Sequence, residues 1–132
     1  MKVSKANVRT FTMEDGWVAR VGCTDVDNDI LVFQESFPQD MWLHVKGCPG
    51  SHVVLHHPED SDPPKAVLQA AGRLAVQHSK AKNAGKAAVT LSRVSDLSKP
   101  RGAPAGQVVV RKGRTLTVQT RVRTNEEIPK PH

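Results

Sequence analysis

The chain has 132 residues, 38 % of them hydrophobic but only 4 % aromatic, and a formal net charge of +6, which fits one compact domain over residues 1–132 with a modest core. No apolar run approaches the roughly 18 residues of a membrane span, and Met1–Thr10 lacks the apolar stretch of a signal peptide, so membrane and secreted classes are set aside. Cys23 and Cys48 form neither a disulfide framework nor a Cys-x-x-Cys pair, and a reducing, cytoplasmic home is expected.

Phe11–Met13 and Trp17–Val21 flank Glu14-Asp15-Gly16 and predict a hairpin. Asp27 or Asn28 is placed to cap a short helix running to about Ser36, with Asp29 near its positive end. The surrounding acids lack the glycine and distal glutamate of a calcium loop. Met41-Trp42-Leu43-His44-Val45 alternates as a strand, so Met41, Leu43 and Val45 are expected in the core and Trp42, His44 and Lys46 on the other face. Lys46-Gly47-Cys48-Pro49-Gly50 is turn material, followed by a strand over Ser51–His56.

Asp62 as cap and Pro63 as first helical residue predict a helix over about 63–83. Its apolar face is Val67, Ala70, Ala71, Leu74, Ala75, His78 and Ala81, recurring at spacings of three and four. Ala87–Val94 reads as a strand and Lys99–Gly106 as a Pro/Gly loop. Gln107–Arg111 and Thr115–Thr120 predict a hairpin closed by Lys112-Gly113, with Leu116 and Val118 inward. Residues 123–132 read as a flexible tail. The expected class is α+β: a largely antiparallel β-sheet with one principal helix.

The charge is segregated along the chain. Residues 1–64 carry ten acids and five bases, residues 65–132 three acids and fourteen bases. Such a split repels itself, and so points to an anionic partner. Polynucleotides gain most from it, because each cation on a phosphate releases counterions.

The stretch Asp40-Met-Trp-Leu-His-Val-Lys-Gly-Cys-Pro-Gly-Ser-His-Val-Val-Leu55 resembles the signature of the RNA-binding domain of the NFACT family. The same domain is known from fibronectin-binding-protein-A-like proteins. The resemblance continues in Asp27-Asn28-Asp29, in the helix from Ala70-Ala71 to Ser79-Lys80-Ala81-Lys82-Asn83, in Lys99–Gly106 and in Arg114–Val118. It thus spans about Gly16 to Val118. Large members of that family bind the obstructed large ribosomal subunit and tRNA, and help extend stalled chains with alanine-type tails. They do so with an N-terminal domain, helix-hairpin-helix modules and a coiled coil besides this domain. The resemblance therefore implies RNA or ribosome binding by a free-standing bacterial version, with tRNA, rRNA or the large subunit as partner. Where the larger proteins tend to have a Val-Asp-Tyr-Thr-like segment, this chain has Ala88-Val89-Thr90-Leu91.

The residues suggest roles of their own. Trp42 is placed to stack on an unpaired base, with His44 hydrogen-bonding beside it and Lys46 on the same strand face. Gly50, Ser51 and His52 offer an N–H, a hydroxyl and an imidazole to a phosphate. Asp40, at the strand start, is counted among the RNA contacts, while Arg73, Lys80, Lys82, Lys99 and Arg101 supply the cationic footprint. No cofactor is expected. His44, Cys48 and His52 converge on zinc only if the turn folds back sharply, and His52 and His56 are roughly 13 Å apart along a strand, so no metal is expected. Ser51 and His52 point to opposite strand faces, a poor nucleophile–base pair, and no catalytic residue is assigned. The main reading is a non-enzymatic RNA-binding protein. Two alternatives stand beside it: an RNA-processing enzyme using His44, His52 and Asp40 as acid–base group, and a binder of any polyanion, DNA included.

Overall fold

The computed structural model describes residues 5–59 and 61–119. Its strands are β1 (Val8–Thr12), β2 (Val18–Gly22), β3 (Met41–Val45), β4 (Val53–His56), β5 (Lys86–Arg93), β6 (Leu97–Ser98), β7 (Val109–Val110) and β8 (Arg114–Gln119). The helices are α1 (Asp25–Gln34) and α2 (Lys65–Gln77). One antiparallel sheet runs in the order β1-β2-β4-β3-β5-β8, and β6 and β7 pair apart from it. The α+β class holds, with a second helix beside the principal one.

The alternation of β3 places its side chains as expected. Met41, Leu43 and Val45 join Val53, Leu55, Val89, Leu91 and the α2 residues Val67, Leu74 and Val76 in the main core. Each fully buried aliphatic here contributes roughly 1.5–3 kcal/mol. Gly72 lets α2 sit close on the sheet: a Cβ there would lie 2.5 Å from Val118 Cγ2. The opposite face is covered as well. Trp42 packs there with Leu31 and Val32 of α1 and Val54 of β4, and Val94, Leu97, Val108 and Val110 close the edge.

Both helices begin and end differently from expectation. Thr24 caps α1, its Oγ1 accepting the Asp27 N–H at 3.1 Å. Asp27 turns back to accept from Thr24 Oγ1 at 2.8 Å and from the Asn7 N–H at 2.9 Å. Those bonds hold its carboxyl below the ordinary 3.8, the Asn7 N–H contributing most. Asn28 cannot cap, because it points inward and accepts the His52 N–H at 3.1 Å.

For α2, the expected span of 63–83 shrinks to Lys65–Gln77. Asp62 is bound by Arg93 instead of capping, and Pro64 takes the cap position without a side-chain bond. At the other end Ser79 Oγ donates to the Val76 carbonyl at 2.7 Å, and the Lys80 N–H donates to Pro49 O at 3.1 Å. These bonds draw the chain off the helix axis, so Lys80 and Lys82 stand in turns beyond it. The hairpin expected over 107–120 is also corrected. β8 pairs with β5 and β7 with β6, because Val118 reaches the core only beside β5. The tail expected at 123–132 lies outside the described residues.

Candidate functional site

The turn between β3 and β4 is laid against the C-terminal end of α2. Gly50 bridges to Ser79, and the Ser51 N–H donates to His78 O at 2.9 Å. A Cβ on Gly50 would lie 2.6 Å from Ser79 Cβ, so this approach requires glycine. Between the turn, the end of α2 and the start of α1 runs an open groove of about 520 Å³, lined by Thr24, Asp25, Asn28, Gly50, Ser51, Ser79, Lys80 and Lys82 among others. The N-terminal end of α1 opens on it, as do three hydroxyl residues and two exposed lysines. The two exposed lysines outnumber the single carboxylate of Asp25 in this lining, which suits an anion.

The structure thus brings Gly50, Ser51, Lys80 and Lys82 together. Lys46 is exposed, with its Nζ on Thr115 Oγ1 at 2.7 Å. His44 is half-buried at the turn and bonded to the Gly50 carbonyl. Thr24 and Ser79 were not singled out in the sequence. The pattern Thr24-x-x-Asp27, close to a capping box, was a legible signal for the first. Ser79 had none.

Three expected contacts are buried, and their roles are corrected. Trp42 is 3 % exposed, so it offers no face to a base. Its ring lies parallel to His44, centroids 5.8 Å apart, and its Nε1–H donates to His52 Nδ1 at 3.1 Å. His52 is 2 % exposed, so its imidazole is closed off from an outside phosphate. Because its Nδ1 accepts from the indole, the ring proton sits on Nε2, toward the Gly106 carbonyl. Burial, and then the neighbouring His44, push the His52 imidazole down to about 4, against the Gly106 carbonyl and Asp29. Burial also lowers His44, partly offset by the Gly50 and Val45 carbonyls. Asp40 is 3 % exposed and holds the turn before β3. It accepts the Phe37 N–H at 2.9 Å and lies 2.6 Å from His56 Nδ1. An acid–base group of Asp40 with His44 and His52 is therefore not assembled, since β-pairing puts His56 beside Asp40 instead.

Lys99 is engaged as a clamp within the fold. Its Nζ lies 3.0 Å from Asp29 and donates to the carbonyls of Pro104 and Gln107. Asp29 also accepts the Gly106 N–H at 3.0 Å, so the 99–106 loop is latched over the Trp42 face. Arg101 stands exposed on that loop. Arg73 is half-buried on α2, and its Nε has no partner among the described residues. Among those residues no three His, Cys, Asp or Glu are grouped to hold a metal ion, and no helix is long and apolar enough to cross a membrane.

Residues 7–112 match the family model described as NFACT protein RNA binding domain. The chain is 31 % identical over 111 residues to the Rqc2 homolog RqcH of Bacillus subtilis (strain 168), covering 84 % of this chain and 19 % of that protein. To the Rqc2 homolog RqcH of Streptococcus suis (strain 05ZYH33) it is 36 % identical over 98 residues, covering 74 % and 17 %. The solved C-terminal part of the fibronectin/fibrinogen-binding protein from Streptococcus suis shares the fold with a TM-score of 0.79 at 32 % identity, over 90 % of this chain and 47 % of that one. The chain thus spans about a fifth of the length of the curated relatives it matches.

Proposed function

This chain belongs to the NFACT protein RNA binding domain family, and from that premise we infer that it is a non-enzymatic, cytoplasmic RNA-binding protein. It acts on tRNA, rRNA or the large ribosomal subunit, in the setting of ribosome-associated quality control. The observation that carries this reading is the groove between the Gly50-Ser51 turn and the end of α2. Lys80 and Lys82 flank it, and the α1 N-terminus faces it. A phosphodiester there meets the ammonium groups of Lys80 and Lys82 and the Ser51 hydroxyl without needing any particular base. The relatives named for ribosome quality control, Rqc2 homologs, support the setting.

The test is a Lys80→Glu/Lys82→Glu variant assayed for tRNA binding at physiological salt. Both lysines are exposed beyond α2, so the fold is expected to persist. Affinity is expected to fall by about tenfold or more. Unchanged affinity in a folded variant removes the groove from the account.

A further inference from the structure

A second groove, of about 530 Å³, lies at the other end of α2, where Asp62 and Pro63 lead into the helix. Its floor is Met41 and Leu91, and its rim carries Arg93, Lys112 and Arg114. We propose that this groove is a second phosphodiester site, so that one single-stranded RNA segment is held at both ends of α2. The proposal rests on the RNA-binding reading above and extends it to a second site and a footprint.

The acids near the groove are already engaged. Asp62 is bound by Arg93, and Asp96 lies 2.5 Å from Arg111. Lys112 and Arg114 remain as exposed cations without an ion pair among the described residues. The start of α2 adds to the same sign: its first turn holds no acid, and Pro64 supplies no side-chain cap. Ser92 Oγ donates to the Lys112 carbonyl at 2.7 Å, which fixes the strand segment that presents Lys112 and Arg114. The two grooves are joined along one flank of the helix. Lys65, Gln69, Arg73 and Gln77 recur there at four-residue spacing, and Gln69 Nε2 donates to Thr117 O of β8 at 3.1 Å. Arg73, which the first groove leaves aside, stands midway.

Thirteen helical residues span about 20 Å. At the stacked spacing of 3.4 Å per nucleotide, roughly six nucleotides bridge the two grooves. A shorter RNA occupies one groove at a time.

The experiment measures binding of the full chain to oligo(U) of 4 and of 12 nucleotides between 50 and 200 mM salt. Wild type is compared with Lys112→Ala/Arg114→Ala and with Lys80→Ala/Lys82→Ala. We expect the wild type to prefer the 12-mer strongly. In Lys112→Ala/Arg114→Ala that preference falls about tenfold, and the log–log salt slope for the 12-mer falls by about 1.4, two contacts at roughly 0.7 each. A 12-mer preference and slope equal to wild type, with Lys80→Ala/Lys82→Ala impaired, overturns the second site and leaves the first reading intact. No binding of either RNA by the wild type overturns both. Binding of an acidic peptide that depends on Lys112 and Arg114, with RNA affinity unaffected, also overturns the proposal.

Discussion

His52 makes the stability of this domain sensitive to mild acid. Its imidazole is buried as the neutral form between Trp42, His44 and the 99–106 loop, and its folded value is pushed from the ordinary 6.5 to about 4. Between those two values the unfolded chain binds a proton that the folded chain refuses, so stability falls as the pH drops through this window. Above 6.5 the contribution is complete. The full shift corresponds to about 3 kcal/mol, of which about 2 kcal/mol is lost by pH 5. His44 is also lowered by burial and adds a loss of the same sign. Asp27 adds its own loss only below its ordinary 3.8. The assay is urea unfolding at steps from pH 7 to pH 4.5, followed by the fluorescence of the buried Trp17 and Trp42. His52→Gln lowers the baseline stability but is expected to flatten the slope to the share of His44. A wild-type curve flat over this range refutes the reasoning, as does a His52→Gln curve parallel to wild type.

Other substitutions probe the scaffold around the site. Gly72→Val forces a side chain into Val118, 2.5 Å from the first added carbon, and is expected to cost about 1–3 kcal/mol in chemical unfolding. Asp29→Ala removes the acceptor of both Lys99 Nζ and the Gly106 N–H. Amide exchange over residues 99–106 is expected to quicken, with protection in β3 and β4 retained. Asp40→Ala strips the buried partner of Phe37 N–H and His56. It is expected to destabilise the fold by about 1–3 kcal/mol, while tRNA affinity at low temperature stays within twofold of wild type.

What the sequence disclosed depended on how local the determinant is. The alternation in Met41–Val45 and the three-and-four spacing in Val67–Ala75 each express one element's own geometry, and both were legible. The placement of Trp42 was not, because alternation says that a residue leaves the main core without saying what lies opposite. The uninterrupted Val53-Val54-Leu55 was the available hint that this part of the sheet is covered on both faces. Lys99 resembled a surface cation because its partner, Asp29, is seventy positions away. The pairing of β8 with β5 is non-local in the same way, while Lys112-Gly113 offered a local turn. In the site, Gly50, Ser51, Lys80 and Lys82 were each visible. Their meeting was not, since it depends on Ser79 ending the helix early enough to meet the turn.

The most direct test of the RNA-binding account is equilibrium binding of the full chain, at physiological salt, to purified tRNA, to large ribosomal subunits and to a DNA duplex matched in length to the tRNA. The account predicts a clear preference for tRNA or the subunit, with Trp42→Phe binding as wild type does because that ring is packed inside. Equal binding to all three contradicts it, and would make the basic half of the chain a general polyanion surface.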